Sequence, residues 1–143
     1  MKRIVRGLLA TVALLLLMQV IRFERTNPPT TGLVHAPADV EKVLRRACFD
    51  CHSNETAWPW YTGVAPASWL VHRDVVEGRR HLNFSAWGQL PAEKRAKKQK
   101  EVGEEVRDGE MPPWFYLPLH PDAKLSDADR ALLEAWAAGA ASD

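Results

Sequence analysis

Cys48-Phe49-Asp50-Cys51-His52 is the stretch whose residue types and spacing could do chemistry. Two thiols separated by two residues and followed at once by an imidazole form the C-x-x-C-H pattern of c-type haem attachment. In that chemistry both thiols add across the porphyrin's vinyl groups, and the adjacent imidazole binds iron from one face. Other uses of a cysteine pair need a different context. A thioredoxin-like redox pair belongs in a βαβ unit, which is missing here. A zinc site needs two further ligands, and His35, His72, His81 and His120 are the candidates, because the chain has only these two cysteines. If both thiols carry haem, no structural disulfide can form.

A proximal imidazole leaves the sixth iron position to be filled. Of the three methionines, Met111 is the only one beyond the N-terminal apolar stretch. It sits in Gly109-Glu110-Met111-Pro112-Pro113, where two prolines hold an extended loop. Such a loop fixes a thioether well for iron, whereas a core methionine more often lies on a helix face. His72 and His81 are the competing ligands and would give a bis-His iron; His35 and His120 read as surface residues. His/Met ligation raises the reduction potential, and bis-His generally lowers it. A six-coordinate iron favours outer-sphere electron transfer, while a displaceable Met111 would open a site for peroxide or a diatomic gas.

Six tryptophans, Trp58, Trp60, Trp69, Trp87, Trp114 and Trp136, read as core and haem-crevice packing, with some Nε1–H groups free to donate to propionates. Tyr61, Arg73, Arg79 and Arg80 are further propionate candidates. A carbonyl of Pro59 or Pro66 is expected to accept from His52 Nδ1–H, the bond that orients an axial imidazole.

The elements that position these groups read as all-α, with no alternating strand run longer than about four residues. A first helix over 38–47 follows from Val40, Val43, Leu44 and Ala47 at i, i+3, i+4, i+7, and it delivers the chain into Cys48. A Trp-, Pro- and Gly-containing loop spans 53–66, and a second helix covers 67–80. A third runs from Pro91, a good first helical residue, to Asp108, with Gly109 as its stop. The segment 110–124 carries four prolines and reads as extended. A fourth helix starts after Ser126, which with Asp129 forms a variant capping box.

The chain has 143 residues, 26% charged and 46% hydrophobic, enough for one domain and an accessory segment. Its net charge of +1 is unevenly spread: residues 1–25 hold five basic groups and one acid, leaving 14 basic against 17 acidic groups over 26–143. No basic domain surface is available for nucleic acid. The apolar run over 4–21, helped by snorkelling Arg6 and Arg22, reads as a transmembrane anchor in residues 1–25. The bulky, charged Gln19–Arg25 stretch lacks the small residues of a cleavage site, so an uncleaved anchor is expected. Lys2, Arg3 and Arg6 place the N-terminus in the cytoplasm and the rest beyond the membrane. Residues 26–37 read as a Pro-rich linker and 38–143 as the haem domain.

Three blocks of sequence resemble the bacterial haem-binding domain family of small, membrane-tethered, cytochrome c-like proteins. The first runs from Cys48 through Ser53-Asn54-Glu55-Thr56 into Trp58-Pro59-Trp60-Tyr61. The second runs from Ala65-Pro66-Ala67-Ser68-Trp69 through Glu77-Gly78-Arg79 to Leu82-Asn83-Phe84-Ser85 and Trp87. The third runs from Gly109 to Pro113, then Tyr116, Leu119-His120-Pro121 and Leu125-Ser126, with Trp136 near the end. The resemblance implies one haem c on Cys48 and Cys51, ligation by His52, and support for Met111. Together these readings predict a domain of about four helices behind an anchor in the bacterial inner membrane, facing the periplasm. Its expected role is electron transfer with periplasmic or membrane redox proteins. A peroxidase-like enzyme or a haem-based sensor is the alternative.

Overall fold

The computed structural model describes residues 1–139; residues 140–143, the end of the expected haem domain, lie outside them. Among the described residues there are six α-helices and no strand: α1 (Lys2–Met18), α2 (Ala38–Ala47), α3 (Phe49–His52), α4 (Ala67–His81), α5 (Ala92–Arg107) and α6 (Asp127–Ala137). Three 3₁₀ turns, Trp60–Gly63, Phe84–Gln89 and Pro121–Ala123, lie between them. The described residues are therefore all-helical, as their periodicity indicates.

The transmembrane anchor is corrected. Among the described residues no helix is long and apolar enough to cross a membrane. This overturns the single-pass inner-membrane placement as well. The physical reason lies where α1 stops. It has 17 residues, about 26 Å at the usual rise and short of the roughly 30 Å hydrocarbon core. Gln19 is diverted from extending it: its side chain donates to Ala65 O (3.2 Å) and accepts from Ala65 N–H (2.9 Å). Trp69 Nε1 then donates to Ile21 O (3.1 Å), and Phe23 stacks on His72 at 4.4 Å. Residues 19–23 are thus tied to α4 and the turn before it.

The stretch after residue 26 is also held. Thr31 and Gly32 N–H donate to Ser85 O, Val34 N–H donates to Phe84 O, and Gly88 N–H donates to Gly32 O, all at 2.9–3.0 Å. Val34 is buried in the core.

Helices α2, α5 and α6 form that core with the Phe84–Gln89 turn. Val40, Val43, Leu44 and Ala47 are all buried, so the stripe along α2 is its inner face. Ser126 and Asp129 bond reciprocally as a capping box and start α6. The α5–α6 pair is stitched by Gln99 Nε2 to Trp136 O (2.5 Å) and Arg130 Nη1 to Val106 O (2.7 Å). A row of rings crosses the core: Phe49 on Phe84 (5.4 Å), Phe84 on Trp87 (5.9 Å) and Trp87 near Trp136 (6.2 Å). This row links the residue after Cys48 to α6. Of the six tryptophans only Trp87 and Trp136 are buried, while Trp60 and Trp114 are each 81% exposed.

Phe84 is fully buried between two ring partners. Phe84→Ala should cost about 3–5 kcal/mol of folding stability, the range for removing a core phenyl ring. Chemical denaturation of the two proteins under identical conditions measures it.

Candidate functional site

Cys48 closes α2 by donating its N–H to Leu44 O (2.9 Å), and its own carbonyl accepts from Cys51 N–H (3.2 Å) and His52 N–H (2.9 Å). The motif is therefore one helical turn, α3, which sets both cysteines and the imidazole on neighbouring positions of one surface. The following residues lock that turn. Ser53 Oγ donates to Phe49 O (2.7 Å), Thr56 Oγ1 to Asp50 O (2.7 Å), and Asn54 N–H to Ser85 Oγ (2.9 Å). Arg79 adds bonds to Ser53 O, Thr26 O, Asn27 Oδ1 and Thr56 Oγ1, all at 2.7–2.9 Å. It is thereby committed to holding the backbone and does not line the cavity that follows.

Helix α4 lies directly against the motif at Gly78. A Cβ there would sit 2.5 Å from Cys51 O, so a side chain has no room. The contact lets the end of α4 orient the imidazole: His52 Nδ1 lies 3.0 Å from Gly78 O and 3.2 Å from Leu82 O. These carbonyls replace the expected Pro59 or Pro66. The reason is topological: the last turn of α4 packs on the motif and brings up Leu82 O and Gly78 O, which also accepts Leu82 N–H (2.9 Å), whereas Pro59 and Pro66 flank the preceding turn. With Nδ1 bonded to carbonyls, Nδ1–H is the donor and Nε2 carries the free lone pair.

Cys48, Cys51, His52 and Met111 all line one cavity of about 620 Å³. That volume lies within the usual range of a cofactor site. Met111 arrives after Gly109, whose φ of 76° turns the chain out of α5. Glu110 and Met111 N–H both donate to Glu105 O (3.0 and 3.2 Å). The sequence thus singled out four residues from two distant segments that meet around one space. His81 also lines it but is exposed and sits 3.8 Å from Glu77. His72 is taken up by Phe23, and His120 lies at 2.5 Å from the Tyr61 hydroxyl. Tyr61, Arg73, Arg79 and Arg80 do not line the cavity; Lys98 does, together with Asp50, Asp74, Glu77, Glu101, Glu105 and Glu110. Tyr116, unassigned from sequence, also lines it and donates to Asp50 Oδ2 (2.6 Å).

Electrostatics favour neutral donors here. Burial pushes the Cys48 and Cys51 thiols up to about 12, so both are S–H at neutral pH. Burial also lowers the His52 pKa, against the opposing pull of the Leu82 and Gly78 carbonyls, and keeps its lone pair available. Among the described residues no three His, Cys, Asp or Glu side chains cluster as a site for a bare metal ion. Protonated thiols, a neutral imidazole with Nε2 free, and a large apolar-lined cavity suit a porphyrin better than a thiolate-bound ion.

The family described as Haem-binding domain matches the chain over residues 13–139. Neither a curated protein nor a solved structure matches it.

Gly78→Ala must separate α4 from the motif, because the clashing atom is backbone. The variant should keep its helical content but load haem less completely, by about tenfold or more if the His52 bonds are lost. Far-ultraviolet circular dichroism and haem content per polypeptide check the two halves of that expectation.

Proposed function

Because the chain belongs to the haem-binding domain family, we propose that its cavity carries one haem of the c type, used for electron transfer. The observation carrying this reading is the convergence of Cys48, Cys51, His52 and Met111 on a single cavity. Cys48 and Cys51 would hold the porphyrin covalently, each thiol forming one thioether bond. His52 Nε2 would bind iron from one side, its ring fixed by the Gly78 and Leu82 carbonyls. Met111 would supply the sixth ligand through its sulfur. The bound group supplies one-electron chemistry between ferrous and ferric iron.

The protein's share is positioning. Locking α3 from behind with Ser53, Thr56 and Arg79 keeps both thiols and the imidazole in register through each redox change. With both His52 and Met111 on the iron there would be no open position, an arrangement suited to outer-sphere transfer to other redox proteins. A second reading, with Met111 leaving to admit peroxide or a diatomic gas, draws on one observation: Met111 is 37% exposed at the cavity edge.

Two substitutions test the reading. Replacing Cys48 and Cys51 together by serine should abolish haem that survives denaturing electrophoresis; persistence of that haem refutes covalent attachment. Met111→Ala should retain covalent haem but lose the weak ferric charge-transfer band of sulfur–iron ligation at the red end of the visible spectrum. A band unchanged in Met111→Ala would refute Met111 as the sulfur ligand, and a wild type without the band would move the sixth position to a nitrogen donor, for which His81 also lines the cavity.

A further inference from the structure

The segment bearing Met111 is tied to the rest of the domain by directional bonds at its two ends. Its root is the Glu105 carbonyl, which accepts from both Glu110 and Met111 N–H. Its far end is Tyr116, whose hydroxyl donates to Asp50 Oδ2 at 2.6 Å and whose ring stacks on His120 at 3.9 Å and 8°. Between them Pro112 is buried and Phe115 lines the cavity, but this packing is apolar, and Trp114 and Phe115 remain 81% and 55% exposed.

Asp50 is well placed to receive that end. It lies between Cys48 and Cys51, and its other oxygen accepts Ala57 N–H at 2.9 Å, so the carboxylate is held from behind. Asp50 and Tyr116 both line the cavity. The bond between them therefore joins the Met111 segment to the cysteine motif across the rim of the same space. Burial and the adjacent Asp50 raise the Tyr116 pKa, so the hydroxyl keeps its proton throughout the neutral range.

We propose that Tyr116, through its hydrogen bond to Asp50, is the positioning residue that clasps the Met111 segment over the cavity and limits the access of small ligands to the iron. The proposal rests on the haem reading above and adds a mechanism for its closed sixth position. Apolar packing of Tyr116 and Leu117 against the core holds the segment near the domain, but such packing has no direction. The hydroxyl-to-carboxylate bond is charge-assisted and directional, and it ends on the motif itself.

Tyr116→Phe removes one oxygen and leaves the stacked ring. In the haem-loaded protein it should keep covalent haem while ferric cyanide binding and ferrous carbon monoxide binding accelerate about tenfold, the scale of one lost charge-assisted bond. Amide exchange at Glu110 and Met111 should rise by a similar factor, with or without haem. Asp50→Asn, which leaves a neutral acceptor, should move the same readouts in the same direction by less.

Equal ligand-binding and exchange rates in the wild type and Tyr116→Phe overturn the clasp. So does faster exchange spread over the whole chain, because the hydroxyl would then be a general support. The exchange measurement judges the clasp even if Met111→Ala shows that sulfur does not bind iron, so the two ideas can fail separately.

Discussion

The close approach of α4 to the cysteine motif at Gly78 is the constraint on which the rest depends. Cys51 O occupies the space where a Cβ would stand. That approach carries the last turn of α4 to His52, where Gly78 O and Leu82 O both reach Nδ1. Carbonyls at a helix C-terminus carry a partial negative charge, so the same contact fixes the ring, selects its tautomer and makes Nε2 a better donor. Moving α4 by the width of one methyl group would weaken all three effects together. The surrounding bonds defend the approach: Arg79, one residue after Gly78, reaches across to Ser53 O, one residue after His52.

The charge pattern follows from the same packing. Excluding water around α3 raises both thiols to about 12 and lowers His52, so no fixed charge resides on the three donor groups at neutral pH. Charged side chains lie around these donors instead: Asp50, Asp74, Glu77, Glu101, Glu105, Glu110 and Lys98 line the same cavity. Lys98 is already engaged, 2.6 Å from Glu101. The arginines that the sequence offered to propionates are committed or remote: Arg79 holds backbone, Arg80 pairs with Glu77, and Arg73 does not line the cavity. Such an acidic lining would repel carboxylates, so on the proposed haem reading the cavity's apolar wall and the bonds to Cys48, Cys51 and His52 would carry most of the retention.

Much of this was legible in the sequence where the signal was local. The apolar stripe of α2, the Pro91 and Gly109 boundaries of α5 and the Ser126–Asp129 box each declare themselves within a few residues. Met111 stood out because it is scarce and lies in a proline-fixed loop. What escaped was set by partners distant in sequence. The end of α1 is decided by Gln19 pairing with Ala65, and the fate of residues 31–34 by backbone bonds to 84–85. The carbonyl acceptors of His52 belong to a helix that begins fifteen residues later. Gly78 was the available clue, because a lone glycine inside a helical run costs stability and implies a close approach that repays it. Tyr116 had no such flag: its hydroxyl matters only because the fold sets Asp50 opposite.

The two sides of the cavity are consequently held by different physics. The motif side is a helical turn backed by buried hydroxyl, amide and guanidinium bonds, none of which opens without disturbing the core. The Met111 side is a proline-bearing span attached at its ends, with exposed aromatic side chains between. Local opening follows the cheaper set of contacts, so any motion that uncovers the cavity should begin on the Met111 side. On the proposed haem reading, retention of the group and exposure of its sixth position would then be separable properties. The second would be tuned by altering the span between Glu105 and Tyr116 while Cys48, Cys51 and His52 stay in place.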